Sequence, residues 1–202
     1  MPTPALTIVT WNVLAAPWAA PGFYPAGMDP ALLDRNARTD LVTALLVALD
    51  PDVMCLQETT PLDLAVVLER LGDGYEMHQT SNGRELWSNW STPEQPWEPN
   101  GTAIVWRRDG FGEVHRGSVD LSDDGNVATT IDARRVGSGR RMRIMSVHLD
   151  ADRPEHRRVQ LPVALAAFAR DSAPDAMDVI AGDCNEDTVG TDLGAACGDH
   201  GF

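Results

Sequence analysis

Lysine is absent from this 202-residue chain, and all sixteen basic residues are arginine. That excludes Walker A phosphate binding and Schiff-base chemistry, both of which need a lysine amine. Cysteine is scarce. Cys55, Cys184 and Cys197 are odd in number and lack paired-ligand spacing, which argues against a disulfide scaffold or a zinc knuckle. Cys55 lies in an apolar run and reads as core. No apolar stretch approaches the ~20 residues of a membrane span. Met1-Pro2-Thr3-Pro4 has neither a basic nor an apolar leader region, so a cytoplasmic location is the expectation. Positive charge is the last shortage: thirty acidic residues leave a net charge of −14. A protein that grips a long polyanion needs a basic face, so an extended DNA duplex is an unsuitable partner. The arginines around Gly137-Ser138-Gly139 (Arg134, Arg135, Arg140, Arg141 and Arg143) read as the solvated tip of a hairpin.

What is present suits one well-buried domain spanning residues 1–202. Leu6 to Trp11 is an apolar, β-branched run and reads as a buried first strand. Residues 15–30, rich in Pro, Gly, Ala and aromatics, read as a loop. Asp29-Pro30 then opens a helix to about Leu49, with Leu41, Leu45, Leu46 and Leu49 at helical spacing. Asp52 to Gln57 is a second buried strand. Thr60-Pro61 opens a second helix carrying Leu64, Val67, Leu68 and Leu71, and Tyr75 to Gln79 is a short strand. Residues 80–100, with Trp87, Trp90 and Trp97, form a long irregular segment that reads either as a substrate-facing lid or as a loop pinned to the sheet. Gly101 to Arg107 is a strand. Val127 to Val136 and Arg140 to Leu149 pair as a hairpin. Pro154 to Arg170 is a helix with Val159, Val163, Leu165, Ala166 and Phe168 on its apolar side, and Asp178 to Ala181 is the next strand. Strands outnumber helices, so an α/β sandwich of two sheets with outer helices fits better than a doubly wound parallel sheet. His78 and His115 read as surface, and Arg35 and Arg38 as structural.

Four pieces carry the chemistry: Trp11-Asn12-Val13-Leu14, Leu56-Gln57-Glu58, Ser146-Val147-His148-Leu149, and Gly182-Asp183-Cys184-Asn185. Each sets a polar residue at or just after the end of a β-prone run. Singly, each has an ordinary reading: a turn Asn, a solvated Glu, an Asx-turn. Together they supply an amide, a carboxylate, an imidazole and a carboxylate–amide pair, which suits a hard divalent cation and a phosphoryl substrate. In order and spacing they resemble the endonuclease/exonuclease/phosphatase superfamily of metal-dependent phosphoesterases, closest in flavour to its deadenylase and nocturnin-like branch. The resemblance runs from about residue 6 to the end.

The resemblance implies a deoxyribonuclease-like two-sheet α/β sandwich and a Mg²⁺-dependent phosphoester hydrolase, with Mn²⁺ as an alternative cation. It implies Glu58 and Asn12 at the metal, Asp183 orienting or deprotonating the attacking water, Asn185 holding a phosphate oxygen, and His148 donating to the phosphoryl group. The acidity favours a small or terminal phosphoester such as an RNA 3′ end. Arg157 and Gln160 resemble the family's Arg-x-x-Gln, which reads as structural; Asp150, Asp152 and Asp187 read as helix-terminus or loop carboxylates. One departure stands out. The family pattern continues to a further Asp-His pair, whereas this sequence stops seventeen residues after Asn185. Asp199-His200 has too few residues before it to be that pair, so the expectation is a C-terminally incomplete domain. The rival reading is a non-catalytic metal- and phosphate-binding relative that lacks the terminal His.

Overall fold

The computed structural model describes residues 5–83, 98–123, 125–170 and 175–186. Among them are two four-stranded sheets packed face to face, the first with two helices on its outer face and the second with one. The first sheet comprises β1 (Ile8–Asn12), β2 (Val53–Thr59), β3 (Tyr75–Ser81) and β4 (Gly101–Arg107), in the order β1-β2-β4-β3. The second comprises β5 (Phe111–Asp120), β6 (Val127–Arg135), β7 (Arg141–His148) and β8 (Met177–Asp183), in sequence order. β1 runs parallel to β2 and β7 parallel to β8; the other pairings are antiparallel. This is the expected two-sheet sandwich. No helix among the described residues is long and apolar enough to cross a membrane.

Three apolar layers hold the stack. Helices α1 (Arg35–Leu49) and α2 (Pro61–Leu71) place Val42, Leu46, Leu64 and Val67 on Met54, Leu56, Ala103 and Val105, the outward side chains of the first sheet. Between the sheets lie Val53, Cys55, Ile104 and Trp106 against Ile131, Ala133, Met142 and Ile144. Helix α3 (Pro154–Ala169) sets Leu161, Ala164, Leu165 and Phe168 on Met145 and Val147. β2, β4 and β7 are buried on both faces, which is why β2 and β4 open or close on continuous apolar runs (Val53 to Leu56, Ala103 to Trp106), whereas β7 carries Arg143 and Ser146 inside.

The helix starts follow local chemistry. The Thr60 hydroxyl accepts from Asp63 N–H and Pro61 fills the first helical position of α2, where a missing N–H costs nothing. Asp29-Pro30 opens only a short 3₁₀ turn, Pro30–Leu33; α1 proper starts after Asp34, whose carboxylate accepts from Ala37 N–H.

Several expectations are corrected. Of the expected apolar stripe of α1 only Leu46 faces the sheet: Leu41, Leu45 and Leu49 are 61%, 41% and 56% exposed, and Val42 and Thr43 are buried beside Leu46 instead. Thr43 tolerates burial because its hydroxyl donates to Thr39 O at 2.6 Å. In α3, Val159 is exposed and Gln160 and Leu161 are inside. β1 is half-buried rather than buried, since among the described residues it has a neighbour on one side only. β5 was not anticipated. The arginines around Gly137-Ser138-Gly139 are not simply a solvated tip: Arg143 is buried, paired with Asp178 and stacked 4.9 Å from the centroid of Phe168, and Arg135 is buried beside Asp52 at 3.3 Å. His78 is half-buried, with Nε2 3.0 Å from Gly117 O, and burial pulls its pKa down. Cys55 is fully buried and its thiol is pushed up to about 12 by desolvation. Residues 84–97 and 187–202, which hold the tryptophan segment, Asp187, Cys197 and Asp199-His200, lie outside the described residues.

Candidate active site

The parallel pairs β1–β2 and β7–β8 bring four strand ends to one edge of the sandwich. Register fixes what meets there: Asn12 pairs with Gln57 in one sheet, and His148 pairs with Asp183 in the other. Asn12 then bridges the sheets. Its Nδ2 donates to Glu58 Oε1 and to Asp183 Oδ2, both at 2.9 Å, across 46 and 171 residues of sequence. Its Oδ1 accepts from Leu14 N–H at 3.0 Å, and because that partner can only donate, the amide's orientation is fixed. His148 Nε2 lies 4.0 Å from Glu58 Oε1 and 3.9 Å from Asp183 Oδ2, the same two oxygens Asn12 holds. The structure thus brings Asn12, Glu58, His148 and Asp183 to one point.

The backbone is shaped to do this. Register in β2 slips between Gln57 and Thr59, which face Thr102 and Gly101, so Glu58 is the extra residue of a β-bulge. A bulge re-aims a side chain out of the ladder. Glu58 adopts φ 56°, Leu14 φ 59° and Asn185 φ 50°, conformations that cost free energy outside glycine and collect at functional positions. The turn at Leu14 presents Ala15 N–H to Glu58 Oε2 at 2.9 Å, a contact that no sequence pattern announces. On the other side, Gly182 allows β8 to approach β7 closely: a Cβ there would fall 2.0 Å from Val147 O.

Asn185 is nearby but committed. Its backbone N–H donates to Asp183 Oδ1, and its Nδ2 donates to Leu149 O, both at 2.9 Å. One amide hydrogen and Oδ1 remain for a ligand. Trp11, Asn12, Gln57, Arg157, Asp183 and Asn185 line an open depression at this edge. Arg157 also donates Nη1 to Asp150 O at 2.9 Å, and Gln160 Oε1 accepts from Asp150 N at 2.8 Å, so the Arg-x-x-Gln pair holds the turn after His148. Asp150 is buried, which alone would raise its pKa. The side-chain and backbone hydrogen bonds from Arg153, with Asp152 N–H, outweigh burial and hold the carboxyl below its ordinary range.

The donor set fits a hard divalent cation. Glu58 and Asp183 are oxygen donors brought to one point by a neutral amide and beside an imidazole, while Arg157, which also lines the depression, donates to Asp150 O. Among the described residues no group of three or more His, Cys, Asp or Glu side chains is arranged to hold a metal ion by itself.

Comparison with known proteins agrees with this architecture. The profile of the Endonuclease/Exonuclease/phosphatase family matches residues 9–197. The human Nocturnin catalytic domain, solved with a bound sulfate anion, superposes with a TM-score of 0.77 at 20% identity, over 96% of this chain and 70% of that domain. ANGEL2, a 2′,3′-cyclic phosphatase, superposes at 0.71 and 20% identity, over 90% of this chain and 54% of its own. The Bacteroides thetaiotaomicron mannosyl-6-phosphatase superposes at 0.71 and 19% identity, over 96% of this chain and 71% of its own. No curated protein matches by sequence.

Proposed function

Since this chain belongs to the endonuclease/exonuclease/phosphatase family, we propose that it is a Mg²⁺-dependent hydrolase of small or terminal phosphoesters. The observation that carries the reading is the Asn12 amide holding one oxygen of Glu58 and one of Asp183, with His148 Nε2 within 4.0 Å of both. Glu58 is the residue to hold the cation, with Asn12 orienting its carboxylate. The cation, when bound, supplies charge neutralisation at the phosphoryl oxygens.

The remaining roles belong to the chain's own side chains. Asp183 Oδ1 is held by Asn185 N–H and Oδ2 by Asn12, so the carboxylate is fixed and able to orient a water or take its proton. His148 Nε2, mostly covered, is placed to donate to a phosphoryl oxygen as negative charge builds there. Asn185 keeps one amide hydrogen for a second such oxygen.

Charge supports the limit on substrate size. Arg35, Arg70, Arg107, Arg108, Arg116, Arg134, Arg135, Arg141, Arg143 and Arg153 are each paired with a carboxylate of the chain itself. Cations spent internally are not available to a polyanion, so an RNA 3′ end or a single small phosphoester fits better than a duplex.

The test is hydrolysis of bis(p-nitrophenyl) phosphate with Mg²⁺, Mn²⁺ or EDTA, beside Asp183→Ala. Turnover requires the metal, and Asp183→Ala lowers kcat by about 10²–10⁴-fold. A folded chain that binds Mn²⁺ but turns nothing over would replace this reading with the non-catalytic binding one.

A further inference from the structure

The space between the sheets changes character along its length. At one end it is apolar, lined by Val53, Trp106, Ile131, Met142 and Ile144. At the end under the site it is polar. In β2 the side chains facing the second sheet run Val53, Cys55, Gln57; Gln57 is level with Thr102 in its own sheet, and across from them Ser146 is level with Thr129. All four are buried to 1% exposure or less. Burying a glutamine amide where an aliphatic side chain would pack costs free energy unless its hydrogen bonds are made.

They are made in a particular way. Gln57 Nε2 donates to Cys55 O at 2.9 Å, to Ser146 Oγ at 3.1 Å and more weakly to Thr10 Oγ1 at 3.4 Å. A backbone carbonyl cannot donate, so Cys55 O fixes which end of the amide is nitrogen. The Ser146 hydroxyl returns a long bond to Leu56 O at 3.4 Å. Gln57 immediately precedes Glu58, and Ser146 stands two residues before His148. The tie therefore joins the strand that carries the carboxylate to the strand that carries the imidazole, one layer beneath both.

We propose that Gln57 and Ser146 are positioning residues of the candidate site: their cross-sheet hydrogen bond sets where Glu58 stands relative to His148. This rests on the hydrolase reading for its kinetic consequence, but not for its metal-binding one. The Asn12–Asp183 bond fixes the sheets on the β1–β8 side, and the Gln57–Ser146 bond fixes them on the β2–β7 side. Without the second tie, the bulge at Glu58 is anchored only through its own sheet and through Asn12 and Ala15.

The experiment compares Ser146→Ala, Gln57→Leu and the double variant with Thr102→Val, which removes a buried cross-sheet hydroxyl tie of the same kind (Thr102 Oγ1 to Thr129 Oγ1, 2.8 Å) between β4 and β6, strands that carry none of the candidate site's side chains. Mn²⁺ affinity is read by calorimetry, and kcat and KM on bis(p-nitrophenyl) phosphate. Ser146→Ala, a small deletion expected to fold, lowers kcat and weakens Mn²⁺ binding about 10-fold each; Gln57→Leu lowers them by about 10–100-fold, as loss of an orienting partner does. KM moves less than about threefold. In the Gln57→Leu background Ser146→Ala costs clearly less than it does alone, because the cross-sheet bond they share is already gone and only the long bond to Leu56 O is left to lose. Thr102→Val lowers the melting temperature but leaves kcat within about threefold. If Ser146→Ala leaves Mn²⁺ affinity unchanged, or the two effects simply add, or Thr102→Val costs as much as Ser146→Ala, the positioning role is wrong. A wild-type chain without turnover overturns the hydrolase reading alone, and the Mn²⁺ comparison still decides this one.

Discussion

Gly182 is where a single methyl group separates a packing effect from a catalytic one. It sits in β8 opposite Val147, one residue before Asp183, which is opposite His148. A Cβ at Gly182 would lie 2.0 Å from Val147 O, 2.7 Å from Val147 Cγ2 and 2.8 Å from Val147 C. Two of those atoms are backbone, so the neighbour cannot rotate away. β8 has a neighbour on one side only among the described residues, so in Gly182→Ala it is β8 that moves. Restoring ordinary contact needs an outward shift of about 1 Å. A shift of that size takes the 2.9 Å bond from Asn12 to Asp183 out of hydrogen-bond range and widens the 3.9 Å gap from His148 to Asp183. Misplacement by about 1 Å at a reacting centre costs about 10²-fold in rate. Overpacking costs about 1–3 kcal/mol of stability, a fall of roughly 4–8 °C at its midpoint. Gly112→Ala is the control, since a Cβ there meets nothing within 4 Å. The assay is kcat on bis(p-nitrophenyl) phosphate well below the melting temperature of each variant. A folded Gly182→Ala protein whose kcat stays within about threefold of wild type would refute the argument that this contact sets Asp183.

Two further outcomes follow from the site's charges. Asn12→Asp turns two 2.9 Å hydrogen bonds into close contacts between carboxylates, so the metal-free protein loses about 2 kcal/mol and melts roughly 4–8 °C lower. Saturating Mg²⁺ recovers more of that loss than it adds to wild type; equal melting with and without EDTA would count against a cation between Glu58 and Asp183. Asp150, with its pKa held down despite burial, contributes stability that is complete above the ordinary carboxylate range near ~3.9 and is lost as pH falls through its lower folded value. The denaturant midpoint of Asp150→Asn should therefore lie below wild type at neutral pH and converge on it in acid; a constant difference across that range would show that Asp150 does not titrate with unfolding.

Local signals were legible where the chain's own neighbours decide the outcome. Thr60-Pro61 begins α2 because a hydroxyl cap and a proline act within one turn. The β6–β7 hairpin needs only its Gly-Ser-Gly turn and two apolar runs. The polar residues at strand ends mark the candidate site for the same reason. Where a helix face or a charge is assigned by a distant partner, sequence pattern failed. Leu41, Leu45 and Leu49 are as periodic as Val42 and Leu46, and only the sheet beneath α1 selects between the two stripes. Arg143 reads as a surface charge until Asp178, thirty-five residues on, arrives beside it in β8. β5 escaped because Gly112, Glu113, His115, Arg116 and Gly117 break any apolar alternation. It is held by register with β6 and by Arg116 lying 5.3 Å from the centroid of Trp106.

The same distinction explains how the site could be read without its geometry. Residue type is local: an amide, two carboxylates and an imidazole stand at four strand ends whatever the topology does with them. Their convergence is wholly long-range, since Asn12 reaches Asp183 across 171 residues and Gln57 reaches Ser146 across 89. The Gln57–Ser146 contact needs the two sheets aligned so that β2 and β7 end together, and bringing Asn12 and Asp183 to that same edge needs β1–β2 and β7–β8 parallel. Antiparallel pairing of either couple would send one member of each pair to the opposite edge of the sandwich. The parallel pairings β1–β2 and β7–β8, each linked through a helix, are therefore the part of the fold on which the proposed chemistry depends. The antiparallel strands supply rigidity by filling the interior and spending the arginines. A substitution that weakens β3 or β5 should accordingly lower stability in proportion to buried area, whereas one that shifts β1 or β8 by a fraction of a bond length should act on the site first.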